Sequence, residues 1–164
     1  MVTQNTSTHS TLPIDEVTDP RWAAWQPFIE TSVHLQTLLD EELRATSNMS
    51  LADYHVLLLL AKASDQRLRM NELARSMVFS SSRLSYQIDS LAKKGWVARE
   101  AVPTDRRGSF ACLRPAGGGA LAEAGKIHLR SVKRLFVDAL DEEDGASLAV
   151  ALRRIATALE KHDY

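Results

Sequence analysis

The chain has 164 residues, 45% of them apolar and 25% charged, with a net charge of −1. That suffices for one packed domain of the usual size, about 100 to 200 residues, and excludes disorder throughout. The single cysteine, Cys112, excludes an internal disulfide, and the longest apolar run, Val56 to Ala61, is far below the roughly 18 residues of a membrane span.

The opening MVTQNTSTHSTLP is polar and lacks the charged start and apolar block of a signal peptide, so the expected location is the cytoplasm. Residues 1–19, rich in Ser, Thr, Asn and Asp, are predicted to form a mobile arm. From Arg21 to Ala45, Trp22, Trp25, Phe28, Ile29, Val33, Leu35, Leu38, Leu39 and Leu43 recur at three- and four-residue steps, the mark of an amphipathic helix whose tryptophans are expected to pack in a core. Ser50 and Asp53 match a capping box and open a second helix to about Ala63, apolar nearly all round and therefore central.

Leu68 to Met70 reads as a short strand, and Asn71 as the cap of a helix ending near Met77. Ser80 caps the next helix, which runs to Lys94 and stops at Gly95, with Lys93 and Lys94 suited to the negative end of its dipole. Trp96–Val102 and Ser109–Leu113 are predicted strands joined by Pro-Thr-Asp-Arg-Arg-Gly, a hairpin with a cationic tip. Leu121 to Ala139 and Leu148 to Leu159 trace two more helices, broken by Asp141 to Gly145. The fold class is mainly α with a small β-hairpin wing: a winged helix-turn-helix lobe, residues 50–115, flanked by helical segments, residues 20–49 and 116–164.

Charge singles out the lobe. Residues 67–115 hold ten cations against four anions, a net +6, whereas residues 1–66 carry −6 and residues 116–164 carry −1. A basic module between acidic flanks is drawn to a polyanion without turning the whole protein into a nonspecific cation. On the helix from Ser80, Leu84, Ile88 and Leu91 form one stripe that must pack inward. Ser80, Ser81, Ser82, Arg83, Ser85, Tyr86 and Gln87 are the candidate DNA contacts, since small polar side chains in the first turns suit entry into a major groove about 12 Å wide. Arg106 and Arg107 repel each other at the hairpin tip, an arrangement better suited to the negative potential of a narrow minor groove than to stability. Asp105 is expected to brace one of them.

LAxxM followed by FSSSRLSYQIDSLAKKGWVAREAVPTDRRGSFACLRPAG resembles the winged helix of the MarR family of bacterial transcriptional regulators. The matching positions are Leu73, Ala74, Ser80, Asp89, Leu91, Gly95, Val97, Arg99, Asp105, Arg106, Arg107, Leu113 and Gly117. The resemblance implies an obligate homodimer, with residues 20–49 and 116–164 as a helical dimerisation region, that binds palindromic double-stranded DNA with recognition helices about 34 to 36 Å apart. It also implies a small aromatic or phenolic effector in a crevice between dimer region and lobe, for which Trp22, Trp25, His34 and His55 are the candidates. The chain departs from the pattern at Tyr86, where a base-reading arginine is common, and at Arg83, where a small residue is usual. It departs again at Val78, in place of a frequent glycine, and at Arg114, in place of the usual capping threonine. The first helix lacks the cysteine of peroxide-sensing members, and Cys112 reads as a small sheet residue rather than a sensor.

Neither metal nor cofactor is expected, because His34, His55 and His128 have no zinc-like spacing with one another or with cysteine, and no nucleotide loop occurs. No nucleophile elbow or metal box supports an enzyme. The class competing with a DNA-binding regulator is a winged-helix module that binds protein.

Overall fold

The computed structural model describes residues 18–102 and 105–161. Of the expected arm only Thr18 and Asp19 are therefore described; residues 103 and 104 and the side chains of Arg106 and Arg107 lie outside the described residues. The chain falls into two compact units, one ending at His34 and the other beginning at Leu35.

In the first unit the Asp19 carboxylate accepts from the Arg21 N–H at 2.9 Å, and Trp22 N–H donates to the Asp19 carbonyl at 3.1 Å. Those short-range bonds, with Pro20 leading, wind a 3₁₀ turn over Pro20–Ala24 before α1, Trp25–Ser47, begins. The expected α-helix therefore starts later than Arg21. Trp22 and Trp25 remain 49% and 53% exposed, with Phe28, Ile29 and Val33 exposed beside them. Their expected core packing does not occur, because one helical stripe needs a second layer to bury against and this unit offers a single helix.

In the second unit, α2 (Leu51–Lys62) opens on the expected capping box. Ser50 Oγ accepts from the Asp53 N–H at 2.9 Å, and the Ser50 N–H donates to Asp53 Oδ2 at 3.0 Å. Tyr54, Val56, Leu57 and Leu60 are all buried, so the all-round apolar sequence does make α2 central. Strand β1 (Arg67–Arg69) leads directly into α3, Met70–Met77. Asn71 lies inside the first turn of α3 rather than capping it, and Glu72 instead accepts from the Arg69 N–H at 3.1 Å.

Helix α4, Ser81–Lys93, follows a short turn from α3. Both helices end the same way. After α3, Phe79 N–H reaches Ala74 O at 2.9 Å and Val78 N–H reaches Arg75 O at 3.1 Å; after α4, Trp96 N–H reaches Leu91 O at 3.0 Å and Gly95 N–H reaches Ala92 O at 2.9 Å. These are Schellman closures, with Val78 (φ 52°) and Gly95 (φ 73°) as the left-handed residues.

Strands β2 (Val97–Val102) and β3 (Asp105–Leu113) complete an antiparallel sheet of order β1-β3-β2. Helix α5, Pro115–Leu135, is longer at its start than its apolar stripe suggested. Its first turn meets the residue just before β2 at Gly117, where an added Cβ would stand 2.2 Å from the Trp96 carbonyl oxygen. That close approach, not phosphate binding, accounts for this glycine. A 3₁₀ turn, Val137–Ala139, precedes α6, Glu142–Leu159. Asp141 caps α6 by accepting from the Asp144 N–H at 2.8 Å, so Glu142 to Gly145 form its first turn instead of the expected break.

The core joins α2, α3, α4 and the sheet, with Leu39 and Leu43 from α1, Met49 from the link between α1 and α2, and Ala124 from α5. No residue of α6 is buried, and Val150, Leu152, Ile155 and Leu159 are exposed. Among the described residues, no helix is long and apolar enough to cross a membrane.

Candidate nucleic-acid interface

Burial divides α4 by face. Leu84, Ile88 and Leu91 are at most 1% exposed, each contributing about 1.5 to 3 kcal/mol to holding the helix on the lobe. With that stripe fixed, Ser81, Ser82, Arg83 and Tyr86 are exposed, Tyr86 at 78%. Ser80 works as the cap, its Oγ accepting from the Arg83 N–H at 3.3 Å and lying 3.2 Å from Ser82 Oγ. The Arg83 guanidinium lies over the Phe79 ring, 3.9 Å from its centroid. A cation on an aromatic face is held without losing its donors, so Arg83 presents them beside the serines at the start of the helix.

Two of the expected contacts are engaged within the lobe. Gln87 is only partly exposed, and its amide donates to the buried Asp53 carboxylate on α2. It does not belong to the outward face, because its angular position next to Ile88 brings it over the end of α2. Ser85 Oγ accepts from Arg99 Nη2 at 3.0 Å, and Arg99 also pairs with Asp89 at 3.3 Å. This bond anchors the exposed side of α4 to β2, leaving Ser85 half-buried.

The wing departs from the expected loop. Strand β3 begins at Asp105, pairing with Val102, while Ser109 pairs with Ala101. Arg106, Arg107 and Gly108 therefore have no counterparts on β2 and lie on a bulge within the strand, a device that re-aims side chains at sheet edges. Gly108 lets the bulge close on Asp105, since an added Cβ would stand 2.5 Å from Asp105 Oδ2 and displace that carboxylate. The expected brace from Asp105 to Arg106 or Arg107 rests on side chains outside the described residues. Asp105 Oδ2 does lie 3.5 Å from Arg69 Nη1, which ties the wing base to β1. Arg69, Asn71, Ser81, Asp105 and Ser109 line a hollow of about 260 Å³ between the wing base and the start of α4.

The candidate effector residues are divided between the units. Trp22, Trp25 and His34 lie in the first, all exposed; His55 lies in the second, exposed on α2. His128 of α5, which is not among the effector candidates, has its ring 4.5 Å from that of Tyr54 with its Nδ1 buried and unpaired. Desolvation holds His128 and, through the partial shielding of its more exposed ring, His55 below the ordinary imidazole value, the neighbouring His55 adding to the effect at His128, and burial raises the Tyr54 hydroxyl. Helical spacing already sets His128 on the Leu121-Ala124 stripe; what it does not supply is the partner, Tyr54 of α2. Cys112 is a buried sheet residue opposite Ala98 and Arg67, its thiol raised first by burial and then by Glu100. Among the described residues no group of His, Cys, Asp and Glu side chains is arranged to hold a metal.

Comparison with known proteins gives concordant matches. A model of the MarR family matches residues 47–108. The structure of Sco3205, a MarR family transcriptional regulator from Streptomyces coelicolor solved in complex with DNA, superposes with a TM-score of 0.81 at 35% identity, over 87% of this chain and 90% of that one. AbsC, a MarR family transcriptional regulator from the same organism, gives 0.80 at 34% identity, over 88% and 97%. The HTH-type transcriptional regulator MhqR of Bacillus subtilis is 29% identical over 63% of this chain and 69% of its own.

Proposed function

Because the chain belongs to the MarR family of transcriptional regulators, which are not enzymes, we propose that it acts in the cytoplasm as a homodimer on palindromic double-stranded DNA. In this reading α4 enters the major groove and the wing meets the minor groove. The observation that carries it is the division of α4, with Leu84, Ile88 and Leu91 buried while Tyr86 stands 78% exposed beside Ser81, Ser82 and Arg83. A helix kept for packing alone gains nothing by exposing a tyrosine so fully, whereas a phenol and serine hydroxyls reach base edges and phosphates. Arg106 and Arg107, on the bulge, supply the minor-groove contacts, and Asp105 orients the wing base. Sco3205, the DNA-bound relative, matches this chain over nearly its whole length.

The exposed apolar residues at the start of α1 and along α6 support the homodimer, since such residues on helices near both ends of a chain are what a second copy covers. A small aromatic or phenolic effector completes the proposal, with Trp22, Trp25, His34 and His55 as contacts; the exposed indole faces suit an aromatic ligand. The test is selection of bound duplexes from a random pool, then titration of the complex with benzoate and hydroxybenzoates. Arg107→Ala is expected to weaken binding and to reduce the slope of log affinity against log salt by about one. An unchanged slope would remove the wing from the interface, and failure of the wild-type chain to enrich any duplex would remove DNA binding itself.

A further inference from the structure

Asp53 is 5% exposed, the one charged residue among the described residues that is buried. Its two oxygens gather donors from separate elements. The Ser50 N–H, at the start of α2, donates to Oδ2 at 3.0 Å; Gln87, midway along α4, donates to Oδ1; and Lys94, just beyond α4, donates to Oδ2 at 3.3 Å. Lys94 Nζ also donates to the Asn48 carbonyl at 2.8 Å and lies 4.6 Å from the Trp96 ring centroid. Asn48 is itself left-handed, with φ 49°, at the elbow between α1 and α2.

A capping box needs only the two bonds between Ser50 and Asp53, so capping leaves the side-chain donors Gln87, on α4, and Lys94, just beyond it, unexplained. Burying a carboxylate costs several kcal/mol unless it is fully paired, whereas an apolar pair would hold α4 to α2 without that cost. What an apolar pair lacks is direction: hydrocarbon faces permit small rotations, while hydrogen bonds weaken steeply once misaligned. Gln87 follows Tyr86 directly, so the bond that fixes Gln87 also fixes the azimuth of Tyr86.

We propose that Asp53 is a positioning residue for DNA recognition: by holding Gln87 and Lys94 it sets the rotation of α4 about its axis and hence the direction in which Ser82 and Tyr86 are presented. This rests on the DNA-binding reading above. It also gives the elbow after α1 a polar route to the recognition helix, through Asn48 and Lys94.

The test uses the full chain with two duplexes of equal length, one selected by the wild-type protein from a random pool and one of random sequence. Gln87→Met removes the donor. Gln87→Glu sets a second carboxylate against Asp53, and Gln87→Glu combined with Asp53→Asn restores the bond with amide and acid exchanged. Both single variants are expected to lose about tenfold on the selected duplex and less than about twofold on the random one, and the double variant to recover most of the loss. Circular dichroism confirms that each variant is folded at the assay temperature. Single variants that keep their affinity for the selected duplex, or lose both duplexes alike, or a double variant without recovery, would overturn the positioning role. A wild-type chain that prefers no duplex overturns the DNA reading and this proposal together, which distinguishes the two failures.

Discussion

Val78 sits at φ 52° and is 82% exposed, so a β-branched residue occupies a left-handed position with no packing in return. At the equivalent closure after α4, Gly95 does the same work without a Cβ. The left-handed penalty for a side chain is about 1 to 2 kcal/mol, partly offset by the stiffer unfolded chain that valine provides. Val78→Gly is therefore expected to stabilise the lobe by about 0.5 to 1 kcal/mol, read as a higher urea midpoint at unchanged slope. The histidines give a second residue-level expectation. His55 and His128 both lie below the ordinary imidazole value of 6.5, chiefly through desolvation, which is partial at the more exposed His55. Their folded forms favour the neutral ring, and the unfolded chain takes up protons first as the pH falls. Their contribution is complete above that value and is lost below it. The urea midpoint is expected to be lower at about pH 5.5 than at about pH 7.5, with His128→Phe shrinking the difference.

At the scale of elements, helix ends explain both agreements and departures. Ser50, Ser80 and Asp141 cap their helices through side-chain oxygens, and α2 and α4 were located from such signals. Arg114 stands at the cap of α5 with no side-chain bond to the helix, and its guanidinium pairs instead with Glu100 at 3.6 Å on the surface. A capping oxygen is worth about 1 kcal/mol, and an exposed ion pair typically about 0.2 to 1. Arg114→Thr is expected to raise the thermal midpoint modestly, as checked by a calorimetric scan. The wing shows the limit of composition: Pro-Thr-Asp-Arg-Arg-Gly reads as a loop, yet Asp105 to Gly108 belong to β3. Pairing with β2 decides this, and it depends on neighbours outside the segment.

For the whole molecule, the exposed apolar residues of α6 argue for a second copy of the chain. Val150, Leu152, Ile155 and Leu159 are each at least 37% exposed, more apolar surface than a solvated helix carries without a partner. Sedimentation at micromolar concentration is expected to give a species of twice the 18.2 kDa chain mass. Ile155→Glu is expected to shift it to the monomer, because a charge buried without a partner costs several kcal/mol. A wild-type species at 18.2 kDa would defeat the homodimer. Loss of the dimer is also expected to weaken binding to a palindromic duplex far more than to a half-site, since joining two sites multiplies affinity.

The sequence by itself determined the mainly helical class, the order of elements from α1 to α6, the inward stripe of α4 and the family. Each follows from short-range periodicity, caps and motif spacing. Only the tertiary structure decided which polar residues of α4 face outward. Gln87 and Tyr86 are adjacent polar positions on one helix, and the sequence treated them alike. Asp53, 34 residues from Gln87 along the chain, takes one of them into the lobe and leaves the other exposed. A helical period fixes the angle between two side chains, but the partner waiting at that angle comes from another part of the chain.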